Sequence, residues 1–297
     1  MVSYCCGCSL AVQNITSLKA SNYTCAIFNI VLAIPTSLLN FALIIAILKS
    51  NDKKQPCQIM VLNLALTDFS AGIFGMPTIF FRFLYVALQI DSCNITYISL
   101  ILGSILGHVS LQAIVAIAIE RYIYVFKPFM HSTRFTPKLT YFIVCCEWLY
   151  SIALVTSYRL IKDAKLINMI KAIVLIYTSV IIVYCYTKIF LRSWGVRRQI
   201  QTEAARFGQQ HVTQKERNLL LIGGFIIISF FVCYSFYFAT SILELIEYES
   251  DVFHYTICWA WTFAMANSLF NPLISCIFNS LIRRDVLRIL TCGYKQS

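Results

Sequence analysis

"IVAIAIERYIYVFKP", Ile114 to Pro128, decides the reading of this chain. An apolar run ends in an acid, a guanidinium and a phenol (Glu120, Arg121, Tyr122), and a basic Lys127-Pro128 turn follows. The charges sit at one end, where a helix leaving a greasy medium meets water. Composition names that medium. The 297 residues are 59% hydrophobic and 12% charged, whereas a soluble domain carries about 45–50% apolar and about 25% charged residues. Too little polar surface remains to coat a water-soluble globule, and no linker-like break divides the chain into two domains. The natural solvent is a bilayer.

Apolar spans fall at about 25–48, 58–84, 94–125, 139–159, 165–191, 214–243 and 253–277. Each approaches or exceeds the ~20 residues a membrane helix needs. The expected fold is an all-α membrane protein, a seven-transmembrane helix bundle over residues 25–277. Residues 1–24 precede it as an extracellular segment, and 278–297 follow as an amphipathic helix and short tail. Seven spans put the two ends on opposite sides. The formal charge of +11 concentrates on one side, in Lys53, Lys54, Lys127, Arg134, Lys138, Arg192, Arg197, Arg198 and the tail residues Arg283, Arg284 and Arg288. The other side sets Lys19, Arg159, Lys162 and Lys165 against Glu244, Glu247, Glu249 and Asp251. The positive-inside rule makes the first side cytoplasmic, with the N-terminus outside a plasma membrane. Basicity then serves orientation and anionic lipid headgroups, not nucleic acid.

Sequons at Asn14 and Asn22 lie on the extracellular side and mark candidate glycosylation sites. Residues 1–24 lack a basic n-region and a continuous apolar core, so the first span is expected to act as its own signal. Of thirteen cysteines, Cys145, Cys146, Cys185, Cys233 and Cys276 read as apolar packing residues inside spans. Cys5, Cys6, Cys8, Cys25, Cys93 and Cys258 face the oxidising side, with pairings that spacing does not give. Cys25 and Cys258 top the first and seventh spans. Cys292, just past a basic amphipathic segment, suits palmitoylation.

Polar groups at membrane depth are costly and should face a partner or a wet cavity. Here they are Asn40, Asn63, Asp68, Ser110, Asn267, Ser268 and Asn271. Asn40, Asp68, Ser110, Asn267 and Asn271 compose an oxygen-rich set that suits an allosteric Na⁺; a hydrogen-bonded knot that fixes helix packing is the other reading. Glu147 inside the fourth span is expected to be protonated or to face another helix.

These residues carry a family resemblance. Asn40 stands in span one, "LNLALTD" supplies Asn63 and Asp68, and "ERY" closes span three. Trp148 follows Arg121 by 27 residues, and Tyr186 ends span five. "FFVCY" (Phe230–Tyr234) and "NSLFNPLIS" (Asn267–Ser275) stand in spans six and seven, with "FNSLIRRDVLRIL" after them. In this order and spacing, over residues 25–292, the chain resembles the class A (rhodopsin-like) G-protein-coupled receptors. The resemblance implies an extracellular ligand, a heterotrimeric G-protein partner, no required cofactor and outward movement of span six. The implied switch residues are Glu120, Arg121, Tyr122, Tyr186, Tyr234, Asn271 and Pro272. Glu216 stands where these receptors place a second acid beside the triplet arginine.

Several positions depart from the family pattern. Thr96 replaces the cysteine of the usual loop disulfide, and the short loop joining spans four and five has none. That loop pattern resembles the melanocortin, cannabinoid, lysophospholipid and adenosine branch. The family resemblance makes spans one and seven neighbours, so a bridge between Cys25 and Cys258, which top them, is an expectation. Thr178 and Phe236 replace prolines, which predicts straighter spans five and six. Tyr234 and Ser275 replace a tryptophan and a tyrosine of the switch motifs, so a constitutively active or poorly coupling receptor is an alternative. The expected ligand pocket uses Ser99, Gly103, Ser104 and Gly107 with the neighbouring His108, then Lys171, Tyr237, Phe238, Ser241, Trp261 and Met265. Gly103 replaces the carboxylate of amine receptors and Met265 the retinal lysine of opsins, which disfavours both ligand types. Lys171 suggests an anionic group or a snorkelling stem, while the acidic rim around Glu244 suggests a basic peptide or a solvated loop. The ligand, whether small molecule, lipid or peptide, stays open.

A transporter or channel would be expected to show internal repeats and broken helices in matched halves, and the chain shows neither. No metal-ligand spacing marks it as an enzyme. Impermeant labelling of intact cells should leave the 192–217 connector unmodified and modify it after permeabilisation; labelling from outside would overturn the seven-span topology.

Overall fold

The computed structural model describes residues 16–49, 55–90, 93–161, 163–207, 214–246, 251–278 and 280–290. These form α1 (Thr16–Lys49), α2 (Pro56–Leu88), α3 (Cys93–Phe126), α4 (Pro128–Arg134), α5 (Pro137–Leu160), α6 (Ala164–Phe207), α7 (Gln214–Leu245), α8 (Asp251–Phe278) and α9 (Ser280–Leu290). The seven spans are α1, α2, α3, α5, α6, α7 and α8. Six of them meet a membrane-crossing standard by length and apolarity alone. The seventh, α8, is 28 residues long, and its apolarity is diluted by Asn267, Ser268 and Asn271, which the bundle needs inside.

α1 packs on α2 and α8, α7 on α6 and α8, and α3 stands among α2, α5 and α6. A ring of helices therefore surrounds α3. Its outward faces carry Ile34, Phe142, Leu149, Ile173 and Ile228, each 60% exposed or more. Such a surface would aggregate in water and is at home in hydrocarbon. α9 seats Val286 against Ala42 and Ala46 of α1 and turns Arg283, Arg284 and Arg288 outward, the amphipathic arrangement expected of a helix lying in the membrane interface.

Local chemistry sets the helix ends. Pro128 and Pro137 occupy first-turn positions, and Thr136 caps α5 by accepting from the Leu139 amide at 3.3 Å. The α4 turn was not anticipated, although its Lys127-Pro128 start is a readable signal. α6 and α7 run without internal proline. Thr178 Oγ1 instead donates to the Val174 carbonyl at 2.6 Å, a milder disturbance of the ladder than a ring.

Two expectations need adjustment. α1 begins at Thr16 rather than near residue 25. Asn22 consequently lies within it, 6% exposed, with Nδ2 donating to the Leu18 carbonyl at 3.0 Å. The nitrogen that would carry a glycan is committed inside a helix, so Asn22 is not placed for glycosylation. Asn14 and Cys292 lie outside the described residues.

Within α2, residues Ala71–Gly75 form a π turn, closed by the Met76 amide bonding to the Ala71 carbonyl. The wide turn directly precedes Pro77, whose ring would strain a regular ladder. Gly72 lets it approach α1: a Cβ there would collide with Ser37 Oγ and stand 3.0 Å from the Ser37 amide nitrogen. Gly72→Leu should cost about 1–3 kcal/mol by overpacking. A lowered melting temperature of detergent-solubilised protein checks this, whereas an unchanged one would show that α1 yields.

Candidate functional site

Functional side chains gather in three layers along α3. In the layer at the C-terminal end of α3, Glu120 is 1% exposed. His131 Nε2 of α4 stands 2.8 Å from Glu120 Oε1, and Arg121 Nε stands 3.1 Å from Glu120 Oε2. The arginine contact satisfies ion-pair distance but not hydrogen-bond geometry. His131 is held in place by stacking on Phe135 at 5.3 Å and an edge contact with Tyr124 at 5.2 Å. The Arg121 guanidinium lies 5.8 Å from the Tyr124 ring, with Cys57 and Tyr186 within electrostatic reach. Tyr122 stacks on Phe126 at 4.7 Å. Glu216 belongs to α7, but its side chain lies outside the described residues. The acid of the triplet thus has a partner, His131, that sequence reasoning missed.

The middle layer is a polar relay. Asp68, fully buried, accepts from Ser110 Oγ at 3.1 Å and from Asn271 Nδ2 at 2.7 Å. Asn40 Nδ2 donates to the carbonyls of Thr36 and Ser268 at 2.9 and 3.0 Å. Asn63 donates to Glu147 Oε2 at 2.9 Å and accepts from Trp148 Nε1 at 3.0 Å. Glu147 therefore faces α2, as expected of a carboxyl inside a span. Asp68, Ser110 and Asn271 are brought together. Asn267 is buried nearby on α8, but its Nδ2 finds no partner. Ser275 Oγ, where the family pattern has a tyrosine, donates back to the Asn271 carbonyl at 3.0 Å, a local bond within α8. Pro272 breaks the ladder of that helix beside it.

The layer at the other end of α3 is a partly open cleft with about 500 Å³ of empty space, open solvent included. Gly103, Ser104, Gly107, Lys171, Tyr237, Trp261 and Met265 line it as expected, joined by His108 and by Tyr234 at its inner end. Three expected residues do not line it. Ser99 is fully buried and bonds to the Thr96 carbonyl at 2.9 Å. Phe238 stacks on Phe231 at 6.2 Å, and Ser241 is buried.

Two features of the cavity were hidden in the sequence. Lys171 Nζ donates to Glu244 at 3.3 and 3.4 Å and to Asn168 Oδ1 at 3.3 Å. The two clues that pointed to opposite ligand charges therefore neutralise each other. Trp261 fills the place vacated at Gly103: a Cβ there would stand 2.7 Å from Trp261 Cζ3. Arg82 lies 5.6 Å from the same indole. His108 Nδ1 stands 2.8 Å from the Ser104 carbonyl, so a neutral ring donates there and keeps Nε2 as an acceptor.

Against this geometry, the family model of the seven-transmembrane receptors (rhodopsin family) matches residues 39–166 and 159–274. The chain belongs to that family. The receptor is 23% identical to melanopsin-B of Gadus morhua over 92% of its own length and 49% of the relative's. It is 23% identical to rhodopsin of Scyliorhinus canicula, over 86% and 77% respectively. It is 25% identical to trace amine-associated receptor 7d of Mus musculus, over 89% and 80%. The receptor thus spans about half the length of the melanopsin it matches. Family membership sets it among receptors, not enzymes.

Gly103→Ala should lower receptor stability by about 1–3 kcal/mol. Adding Trp261→Ala should recover part of that loss, a non-additivity expected of touching side chains. Thermal denaturation of the two single variants and the double variant reads it; strict additivity would show that the indole does not oppose residue 103.

Proposed function

We propose that this receptor sits in the plasma membrane with its N-terminus outside and transmits the binding of an extracellular small molecule to a heterotrimeric G protein. The signal is carried by outward movement of the sixth span, α7. One observation carries the reading. Tyr234 both lines the inner end of the cavity and belongs to the packed cluster that runs through Leu111, Phe230, Ile182 and Tyr186 toward Tyr122. A ligand that moves Tyr234 acts directly on the packing of α7 against α3 and α6. Its stacked neighbour Phe230, 4.9 Å away and 1% exposed, offers no slack. Release of Arg121 from Glu120, and from Glu216 as its second acid, would then open the cytoplasmic face.

The cavity supports a ligand class. Trp261, Tyr237, Leu111 and Met265 favour an apolar, ring-containing body. No carboxylate lines it among the described residues, and the place for one is filled by Trp261, so an ammonium would lack a counter-ion. Met265 offers no amine for a Schiff base. An acidic group on the ligand would compete with Glu244 for Lys171. The branch resemblance rests on the short outer loop alone, while the relatives named above are opsins and an amine receptor; the ligand class is therefore taken from the cavity. Asp68 and Ser110 fit a hard monovalent cation, with the unpartnered Asn40 Oδ1 and Thr36 Oγ1 in the same relay, and Na⁺ there would favour the closed bundle.

The local bond of Ser275 supports a second reading, a receptor with altered basal coupling, because that side chain does not reach a neighbouring helix. Cells carrying cAMP and calcium reporters, screened with small apolar acids, separate the two. A ligand response lost in Arg121→Ala and shifted at least tenfold, about 1.4 kcal/mol, in Lys171→Met is expected. Basal signalling with no ligand response favours the second reading. Ion current or uptake that survives Arg121→Ala would overturn both.

A further inference from the structure

The outer ends of α1 and α8 are held in one register by side chains a helical turn apart. Asn29 Nδ2 donates to Thr262 Oγ1 at 2.9 Å across the two helices. It also donates to the Cys25 carbonyl at 2.8 Å, while Thr262 donates to the Cys258 carbonyl at 2.9 Å. One turn outward from this pair stand Cys25 on α1 and Cys258 on α8. A further turn out, Ser21 Oγ lies 3.4 Å from Cys258 Sγ. Cys25 is thus bracketed on α1 by Ser21 and Asn29, which reach Cys258 and Thr262 of α8 respectively. In this structure both cysteines are free thiols, close enough to influence each other electrostatically. They are 0% and 1% exposed and share one packed cluster with Met76 and Ile79 of α2.

We propose that Cys25 and Cys258 are joined by a disulfide that fastens the first span to the seventh. This rests on the orientation given above, which puts both on the oxidising side of the membrane. A bridge requires Cα atoms within about 7 Å and converging Cβ atoms, an approach that the contacts of Ser21 and Asn29 with α8, on either side of Cys25, favour. The burial of both thiols dates the reaction to folding, before α1 closes on α8. One thiolate attacks a sulfur of a disulfide-carrying oxidoreductase and forms a mixed disulfide. The second thiolate then attacks that bond, releasing the donor as a dithiol that keeps the two electrons and two protons. Once closed, the bridge is shielded from soluble thiols. It sits one turn outward of Trp261, so it fixes the wall of the cavity at its mouth.

The test uses the full chain, tagged at its N-terminus, taken from intact cells in the presence of N-ethylmaleimide and mapped without reduction. A linked peptide containing Cys25 and Cys258 that disappears on reduction is the expected result. In denatured, unreduced protein, a Cys25→Ser variant should gain one maleimide label at Cys258, and Cys258→Ser one at Cys25. Both thiols alkylated in the unreduced wild type would overturn the bridge, as would either cysteine linked to Cys5, Cys6, Cys8 or Cys93. The wild-type map needs no variant to fold. Antibody access to the tag on intact cells separates the failures. A tag reached from outside with free thiols sinks the bridge alone, whereas a tag reached only after permeabilisation sinks the orientation and the bridge together.

Discussion

Hydrocarbon accepts no hydrogen bonds, and the architecture answers that fact at every level. Backbone groups are satisfied within helices, which leaves polar side chains as the only directional contacts between spans. Apolar faces alone would not choose a register, because lipid tails solvate them as well as another helix does. The register comes from a few bonds spread over the bundle depth. Asn29 meets Thr262, Asn40 meets Ser268, Asp68 meets Ser110 and Asn271, and Asn63 meets both Glu147 and Trp148. Each joins two different helices, so together they tie α1, α2, α3, α5 and α8 into one object.

The cavity and the charge cluster at the C-terminal end of α3 are continuous through side-chain packing. Leu111, Tyr234 and Phe230 begin a column that passes Ile182 and Tyr186 and ends at Tyr122. The column is aromatic and well packed, so a displacement at its top has few local ways to relax. Polar contacts frame it at both ends, Lys171 with Glu244 outside and Glu120 with Arg121 and His131 inside. Both are charge clusters linking neighbouring elements, and both sit where a rearrangement would be felt first.

Much of this was legible in the sequence, for reasons that differ by residue. The spans could be read because bilayer thickness imposes a length on apolar runs. Asp68, Asn271 and Arg121 stood out because polar groups in lipid are expensive. Glu147 was expected to find a neighbouring helix and does. Pair identities were not legible. Lys171 and Glu244 lie on different helices, and only the fold shows that they cancel. Gly103 announced a missing carboxylate, but nothing along the chain said that Trp261 would occupy the space. His131 was hidden because the Lys127-Pro128 turn gave no sign that the short helix after it folds back under α3. Ser99, Phe238 and Ser241 were assigned to the cavity by depth, and depth does not show which side chains their neighbours cover: Ser99 and Ser241 are buried and Phe238 stacks on Phe231.

The π turn at Ala71–Gly75 gives the second span two phases. One extra residue in the winding rotates everything outward of it by about 100° relative to the inner half. Asp68 and Asn63, inward of the turn, follow one angular numbering; Ile79, Phe83 and Arg82, outward of it, follow another. Aligned without a gap to a span that is a regular α-helix throughout, this span would match in only one of the halves. The same offset is what lets a single helix aim its carboxylate at the centre of the bundle and its guanidinium at the indole of Trp261.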